Sequence, residues 1–549
     1  MHGPVSLCFK AILAGLAIFA IVAGTYAWLS AKHDMKEVAE LPTGTSFCDR
    51  NGEPLEVPGS QGRLLATRAQ IPDFMVKALI AREDARFLEH HGIDLRGLAR
   101  ATLRNLKDLK FTQGASTLSM QLARNTFDIR EKSIHRKLLE IALTLRLEAR
   151  YSKDEILAHY LNRIYFGSGA YGIAQAARVY FDKEVSQLSD GECAMLAGII
   201  RGPHLFSPLR NPEGALEQRR QTLGRMQAMG MIDEATVEKL DKEPVRLAGD
   251  EQRESQTSYA LLAVKRELEL ILDDESASIG GLKVTTTIDS AWQQRLEREL
   301  THAVEALEKE KGWKHPIHAT HQTGTQTQYL QYAAVTTETK TGATLALIGG
   351  RDFSHSSYDR SRAKRDLGSA FEPFVAAAAA ESEKLVIPGK PLQTGRQVGP
   401  AEVQRIAKLC GLGGPFVETE DLYRGAATAS PTEMSVGLAT LANKGNRAKP
   451  FLILKVQDRN GDILYQAQPR LRQKISRNAA LDAVSVLQSH SGTRIFTGAT
   501  ASERDAWTLR LGPTGSTAIW IGFDQPTAIA REARLKSLLD EFVERLGND

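Results

Sequence analysis

Four strings in the first half of this sequence bring together side chains that can move protons and hold anions. The first is AREDARFLEHHG, residues 81–92. On a helix, Glu83, Phe87 and His90 fall at i, i+4 and i+7 and share a face. A glutamate beside an aromatic ring and an imidazole suits proton transfer, because partial burial raises a carboxylate pKa toward the working range. Taken alone, the string also reads as an amphipathic helix with a charged face. The second string is QGASTLSMQLARN, residues 113–125. Gly114 precedes Ser116 and Thr117, which are good N-cap residues, and Thr117, Gln121 and Arg124 or Asn125 then line one face. A helix start carrying hydroxyls, an amide and a guanidinium suits an anionic or sugar ligand.

The third string is HRKLLE, residues 135–140, where Arg136 and Lys137 stand four and three residues before Glu140. By itself it reads as a surface ion-pair ladder, worth about 0.2–0.5 kcal/mol per pair. The fourth, YSKDEILAHYLNRIYFGSGAYGIAQAARVYF, residues 151–181, contains Gly167-x-Gly169-x-x-Gly172. The spacing matches a dinucleotide fingerprint, but the preceding segment is helical by pattern and no strand leads into the glycines. A Gly-rich turn between two helices is the expectation.

The elements that must carry these residues change character along the chain. Residues about 70–245 show apolar positions at helical spacing and little strand alternation. From Val284 onward, VTTTID, YAAVTT, ATLALIGG, FLILKVQD, ILYQAQ and STAIWIGFD are short β-rich runs bounded by Gly, Asp and Asn, with helical segments between them. A mainly α domain at 50–245, a linker at 246–283, an α/β domain at 284–530 and a C-terminal helix at 531–549 follow. The length of 549 residues is too great for one ordinary core. With 42% hydrophobic and 25% charged residues, a disordered, collagenous or many-span chain is excluded. A net charge of +4 excludes bulk nucleic-acid binding. Cys8, Cys48, Cys193 and Cys410 lie far apart, which argues against a disulfide framework or zinc ribbon.

Ala11–Leu29 is a run of 19 uncharged residues. At about 1.5 Å per residue it nearly spans a hydrocarbon layer of about 30 Å. Tyr26 and Trp28 sit near its far end as interfacial aromatics do. An uncleaved anchor over 11–29, with a cytoplasmic tail at 1–10, is favoured over a signal peptide, for which Ala-Gly-Thr at 23–25 is a weak cleavage site.

In order, spacing and identity, EDARFLEHHG, GASTLSMQLARN, RKLLE and KDEILAHYLNRIYFG resemble the motifs of the peptidoglycan glycosyltransferase (transglycosylase) domain of class A penicillin-binding proteins. The resemblance covers about residues 70–245. Met120 departs from it, standing where the family has the first of two glutamines, and Arg124 replaces a lysine while keeping the charge. The resemblance implies a lysozyme-like, mainly α fold and polymerisation of lipid II into glycan strands. It implies Glu83 as the general base on the acceptor hydroxyl and Glu140 as a second catalytic glutamate near the donor diphosphate. It puts Arg124, Arg136 and Lys137 against that diphosphate, and Asp84, Phe87, His90, Thr117, Gln121 and Asn125 in the surrounding cleft. No cofactor is certain; a divalent cation (Mg2+ or Mn2+) is compatible with the diphosphate, but no ligand cluster is dedicated to one. The implied setting is the bacterial inner membrane, single-pass, with the bulk on the outer side. The implied partners are lipid II, the growing strand, the membrane and candidate cell-wall synthesis proteins.

Residues about 284–530 resemble the penicillin-binding transpeptidase (β-lactamase-like) domain, with its site altered. The family nucleophile motif S-x-x-K stands here as Ser369-Ala-Phe-Glu372, and K-T-G stands as Phe496-Thr-Gly. No S-x-N motif is found, and the segment that should carry it looks shortened. A carboxylate cannot donate as the lysine ammonium does, so this domain is expected to be inactive. His315, His318 and His321 in KHPIHATH have no neighbouring Cys or paired carboxylate, so a solvated loop is expected there and no metal site. A glycan-cleaving enzyme, a non-catalytic scaffold and a bifunctional penicillin-binding protein are the rival readings. The basic cluster, the intact glutamates and the Glu372/Phe496 changes weigh against them in turn.

Overall fold

The computed structural model describes residues 4–40, 45–55, 65–100, 116–127, 129, 133–168, 170–203, 205–248, 258–272, 281–322, 325–490, 493–529, 542, 545 and 546. The chain divides into two compact units.

The first unit comprises Met1–Thr45, Gln61–Gly249 and Glu269–Gly281. Its helices start where the sequence supplies caps. Ser133 accepts from the Arg136 amide to open Ile134–Arg150. Ser152 with Glu155, and Ser189 with Glu192, form capping boxes at Lys153–Arg163 and Asp190–Ile199. The core joins Leu79 and Phe87 to Leu118, Leu122, Leu143, Leu147, Tyr160, Tyr180 and Leu196. Burying each such side chain contributes roughly 1.5–3 kcal/mol. Asp190–Ile199 is buried along nearly its whole length, and a Cβ on its Gly198 would lie 2.7 Å from the Gln218 carbonyl oxygen. Only a glycine allows that approach of helix Pro212–Ala228.

The apolar N-terminal helix runs Pro4–Ala31, so the expected tail at 1–10 is helical from Pro4 onward. Leu13–Ala31 is long and apolar enough to cross a membrane. The segment after it is fastened to the helices of the same unit. The fully buried Arg163 donates to the carbonyls of Glu37, Val38 and Glu40 at 2.9, 3.1 and 2.7 Å. Tyr151 donates to the Met35 carbonyl at 2.7 Å.

The second unit comprises Ser46–Ser60, Asp250–Leu268 and Leu282–Asp549. Ser46–Cys48 pairs in parallel with Lys283–Thr286, so residues 46–55 fold with this unit. The expected linker 246–283 contains helix Tyr259–Ile271, most of which is also part of this unit: Glu267 accepts from the Leu452 and Ile453 amides at 2.9 and 3.0 Å. The expected C-terminal helix at 531–549 lies mostly outside the described residues, although Phe542, Arg545 and Leu546 are helical.

The main sheet has six strands in the order 488–490, 493–499, 505–512, 515–522, 331–337, 344–348, with every pairing antiparallel. Its central strand Gly515–Gly522 is buried throughout. Ala518 and Trp520 enter one core with Phe371 and Phe374, while Ile519 and Ile521 enter another with Trp292 and Leu296. That is the period-2 alternation of a strand covered on both faces. Helix Ser290–Glu308 covers one face and helix Pro431–Ala442 the other, where Ser516 Oγ donates to the Ser435 carbonyl at 2.7 Å. The α/β architecture is the expected one.

Candidate active site

The helix Asp73–Glu83 ends on the residue of greatest interest. Glu83, Phe87 and His90 do not share a helical face as the spacing suggested. Asp84 has left helical geometry, with φ −151° and ψ 79°, and the following residues turn back on themselves. The Asp84 side chain explains the break. It accepts from the Leu118 amide at 3.1 Å, at the start of helix Leu118–Phe127, and from His90 Nε2 at 3.1 Å. His90 Nδ1 accepts from the Gly92 amide at 3.1 Å, which places the ring proton on Nε2. Thr117 Oγ1 donates to the Gly92 carbonyl at 2.6 Å and accepts from the Met120 amide at 3.1 Å. Gly92 has φ +92°, and a Cβ there would meet Thr144 Cγ2 at 2.7 Å. Asp84, His90 and Thr117 are thus the frame that fixes helix Leu118–Phe127 against Glu83. Phe87 is fully buried, with Lys153 Nζ 4.3 Å from its ring centroid.

The Glu83 side chain is only 7% exposed. Gln121 Nε2 donates to its Oε2 at 3.2 Å, and Tyr160 donates to Gln121 Oε1 at 2.9 Å. Burial, with the Glu83 charge beside it, pushes the Tyr160 hydroxyl well above its ordinary pKa, against the pull of Arg124 and Arg201. It therefore stays protonated and keeps donating, so Gln121 is locked with its amide toward Glu83. Arg201 Nε donates to Glu83 Oε1 at 2.8 Å and Nη2 to the Arg82 carbonyl at 2.8 Å. Arg225 donates to the Ala81 carbonyl at 2.9 Å, two residues before Glu83. The result is one carboxylate in a fixed orientation with cations around it, an arrangement that can accept a proton from an incoming hydroxyl.

Glu140 is not part of a surface ladder. It is fully buried on helix Ile134–Arg150. Lys137 Nζ sits 2.6 Å from its Oε1 and 3.2 Å from Ser116 Oγ, at the start of helix Leu118–Phe127. Its Oε2 is buried without a hydrogen-bond partner among the described residues. One helix therefore meets Glu83 through Gln121 and Lys137–Glu140 through Ser116. Arg124 and Asn125 lie on that helix, Asn125 buried and Arg124 half-buried, while Arg136 begins the helix of Glu140. Met120, the departure from the family motif, is buried. Gly114 lies outside the described residues.

Sequence reasoning missed Tyr160 and Arg201. Tyr160 lies in the fourth string, where nothing in its spacing indicates a polar partner. Arg201 follows the buried helix Asp190–Ile199 in the string IIRGP, and a lone cation closing an apolar run was the available signal. The Gly-rich turn behaves as expected: Phe166 donates to Ala170 and Gly172 to Ile164, between helices Lys153–Arg163 and Ile173–Phe181.

In the second unit, Ser369 sits on the 3-10 turn Gly368–Phe371, and its Oγ accepts from the Ala499 amide at 3.1 Å. Strand Thr493–Ala499 fits this closely because Gly498 has no side chain; a Cβ there would lie 2.5 Å from the Ala370 nitrogen. Glu372 is buried and accepts from the Gly389 amide at 2.6 Å. Burial pushes its carboxyl above the usual range, and the Gly389 bond partly opposes this. Phe496 packs on the edge of the adjoining core.

The histidine loop is not simply solvated. His318 and His321 pack against Tyr329 and His355, and Asp352 and His355 arrive from more than 30 residues downstream, beyond the reach of local spacing. His315 lies apart from them, against Trp313 and Phe523. Among the described residues, His318, Asp352 and His355 form the one group of three ligand-type side chains close enough to share an ion. Among the described residues, no such group surrounds Glu83 or Glu140.

Residues 51–227 match the family described as transglycosylase. The chain is 29% identical to penicillin-binding protein 2D of Bacillus subtilis (strain 168), over 97% of this chain and 84% of that protein. It is 28% identical to penicillin-binding protein 1F of the same organism, over 88% and 74%. The crystal structure of penicillin-binding protein 1A from Haemophilus influenzae has the same fold, with a TM-score of 0.50 at 18% identity over 93% of each chain. Residues 51–227 are a transglycosylase-family domain, in a chain built along its length like the class A penicillin-binding proteins.

Proposed function

We propose that the first unit extends glycan strands from lipid II, with Glu83 as general base. The acceptor sugar hydroxyl gives its proton to the Glu83 carboxylate as its oxygen attacks the anomeric carbon of the donor. The bond from that carbon to the diphosphate oxygen breaks, and the lipid diphosphate leaves with the electron pair. Arg124, Arg136 and Lys137 offset the charge that develops on the leaving group, and Glu140 fixes Lys137. The observation that carries this reading is the Glu83 carboxylate held by Gln121 and Arg201 at 3.2 and 2.8 Å. A neutral glycan undergoing hydrolysis would need no such set of cations. The apolar helix over Leu13–Ala31 supports an anchored enzyme, single-pass with its bulk on the outer side, working where its lipid substrate lies.

The second unit, in this reading, no longer forms an acyl-enzyme. Ser369 keeps a place beside the strand, which favours a bifunctional protein. Glu372, however, accepts from the Gly389 amide, and a carboxylate there supplies no ammonium to polarise the serine. The test is polymerisation of labelled lipid II by detergent-solubilised protein, with a fluorescent penicillin in a parallel tube. Glycan without penicillin label supports the reading. No glycan would sink the first half of it, and label on Ser369 the second.

A further inference from the structure

Two histidines from separate loops of the second unit converge on a single carboxylate oxygen, and we infer that His318, Asp352 and His355 bind a divalent first-row transition ion of the zinc type. His318 opens the short turn His318–Thr320, beyond helix Ser290–Glu308. Asp352 and His355 lie in the turn that follows strand Thr344–Ile348. One ligand atom from each lies within 4.8 Å of the other two. His318 Nε2 is 3.4 Å, and His355 Nε2 3.8 Å, from the same atom, Asp352 Oδ2.

These separations are long for hydrogen bonds, whose N···O distance centres on about 2.9–3.0 Å. They suit ligands of one ion. With zinc–nitrogen and zinc–oxygen bonds of about 2.0–2.2 Å, neighbouring atoms of a tetrahedron lie roughly 3.3–3.6 Å apart, a range that holds the His318 separation and that the His355 separation slightly exceeds. Two imidazoles and one carboxylate are a donor set for zinc, cobalt or iron rather than for magnesium or calcium, which prefer oxygen alone.

The surroundings hold the ligands in place. Asp352 Oδ1 accepts from the Ser354 amide at 2.9 Å and the Ser354 hydroxyl at 2.6 Å, leaving Oδ2 to the histidines. His355 Nδ1 bonds the Tyr329 hydroxyl at 3.1 Å, which leaves Nε2 for the ion. Tyr329 is itself buried and meets the His318 ring edge-on at 5.0 Å. A carboxylate and an imidazole each fixed through their second polar atom are the usual outer support of a metal ligand. A third imidazole, His321, lies 4.4 Å from the His355 ring, and its Nε2 is buried without a partner among the described residues. An ion held here clips the turn at 318–320 to the turn at 352–355. It leaves a fourth position open to water.

The test is metal binding by untagged full-length protein, dialysed free of metal and titrated with zinc, beside His318→Ala, Asp352→Asn, His355→Ala and the control His315→Ala. One equivalent bound by the wild type and by His315→Ala, and at least about tenfold weaker binding in the other three, is expected. Titration of the wild-type protein with cobalt is a second readout that needs no variant to fold. The intense visible bands of a low-coordinate site are expected. No zinc bound, equal binding in all variants, or only the faint bands of six-coordinate cobalt would overturn the assignment.

Discussion

Arg201 and Glu83 lie 118 positions apart in the chain and meet with Nε 2.8 Å from Oε1. The arginine side chain is 46% exposed and the glutamate 7%, so the cation covers the carboxylate from the solvent side. A substrate hydroxyl must come to Glu83 past this arginine or beside it. Arg201 then acts as a positioning residue that keeps one oxygen occupied and presents the other.

Removing that contact should slow transfer without unfolding the domain. Arg201→Ala is expected to lower the polymerisation rate by about tenfold or more, at a cost of roughly 1–3 kcal/mol in stability because the buried Glu83 carboxylate loses one of its two partners. Rate assays and thermal melts on the same preparation check it. A rate within twofold of wild type would show that Arg201 has no part in orienting Glu83.

Gln121 stands between Tyr160 and Glu83, accepting from one and donating to the other. Gln121→Leu leaves the fully buried Tyr160 hydroxyl without its acceptor. The expected loss is about 1–3 kcal/mol of stability, together with a marked fall in activity. Tyr160→Phe in the same background should return part of the stability, because the stranded hydroxyl is gone, and none of the activity. Equal melting of the single and double variants would contradict the relay.

Gly92 links two framing residues, donating to His90 Nδ1 and accepting from Thr117 Oγ1. With φ +92° and Thr144 Cγ2 only 2.7 Å from where a Cβ would stand, it tolerates no side chain. Gly92→Ala should cost on the order of 1–3 kcal/mol. At roughly 2–4 °C per kcal/mol, calorimetry resolves this easily. An unchanged melting temperature would mean that the turn repacks freely.

Glu372 offers a pH test in the second unit. Its carboxyl is raised in the folded protein, chiefly by burial, so the folded state holds this proton more tightly than the unfolded chain does. The contribution to stability is fully present below the ordinary carboxylate value of 4.5 and is lost as pH rises through the folded value. Glu372→Gln keeps an acceptor for the Gly389 amide and carries no charge. It should therefore melt higher than wild type at pH 7, with the difference fading toward pH 4. A gap that is constant across this window would show that the carboxylate is not destabilised by its site.

Contacts were readable where they lay within one helical turn or one cap. Thr117, Gln121 and the Lys137–Glu140 pair stand where spacing put them, because i, i+3 and i+4 neighbours on a helix are close whatever the fold. Glu83, Phe87 and His90 were misread as one face, since nothing in EDARF announces that the Asp84 side chain will accept from a backbone amide 34 positions later. Strand Asp505–Gly512 was also hidden. It places Arg510 in the middle of a buried strand, and that charge disguises the alternation; in the fold its guanidinium lies over the Trp292 ring at 5.1 Å. Arg201 and the partners of His318 were out of reach for a simpler reason. Both contacts are tertiary, and sequence spacing carries no information about which loops meet.

The most direct test of the central claim is glycan polymerisation from labelled lipid II by wild type and Glu83→Gln, with melting temperatures measured on both. Glutamine keeps the shape and one oxygen to accept from Arg201, but its amide nitrogen then faces the Gln121 donor, and it cannot accept the proton. The prediction is a cooperative melt that shifts by no more than the one lost hydrogen bond, about 1–3 kcal/mol, and a rate lower by roughly 10²–10⁴-fold. Long glycan formed by Glu83→Gln at a rate close to wild type would contradict the assignment of Glu83 as the base.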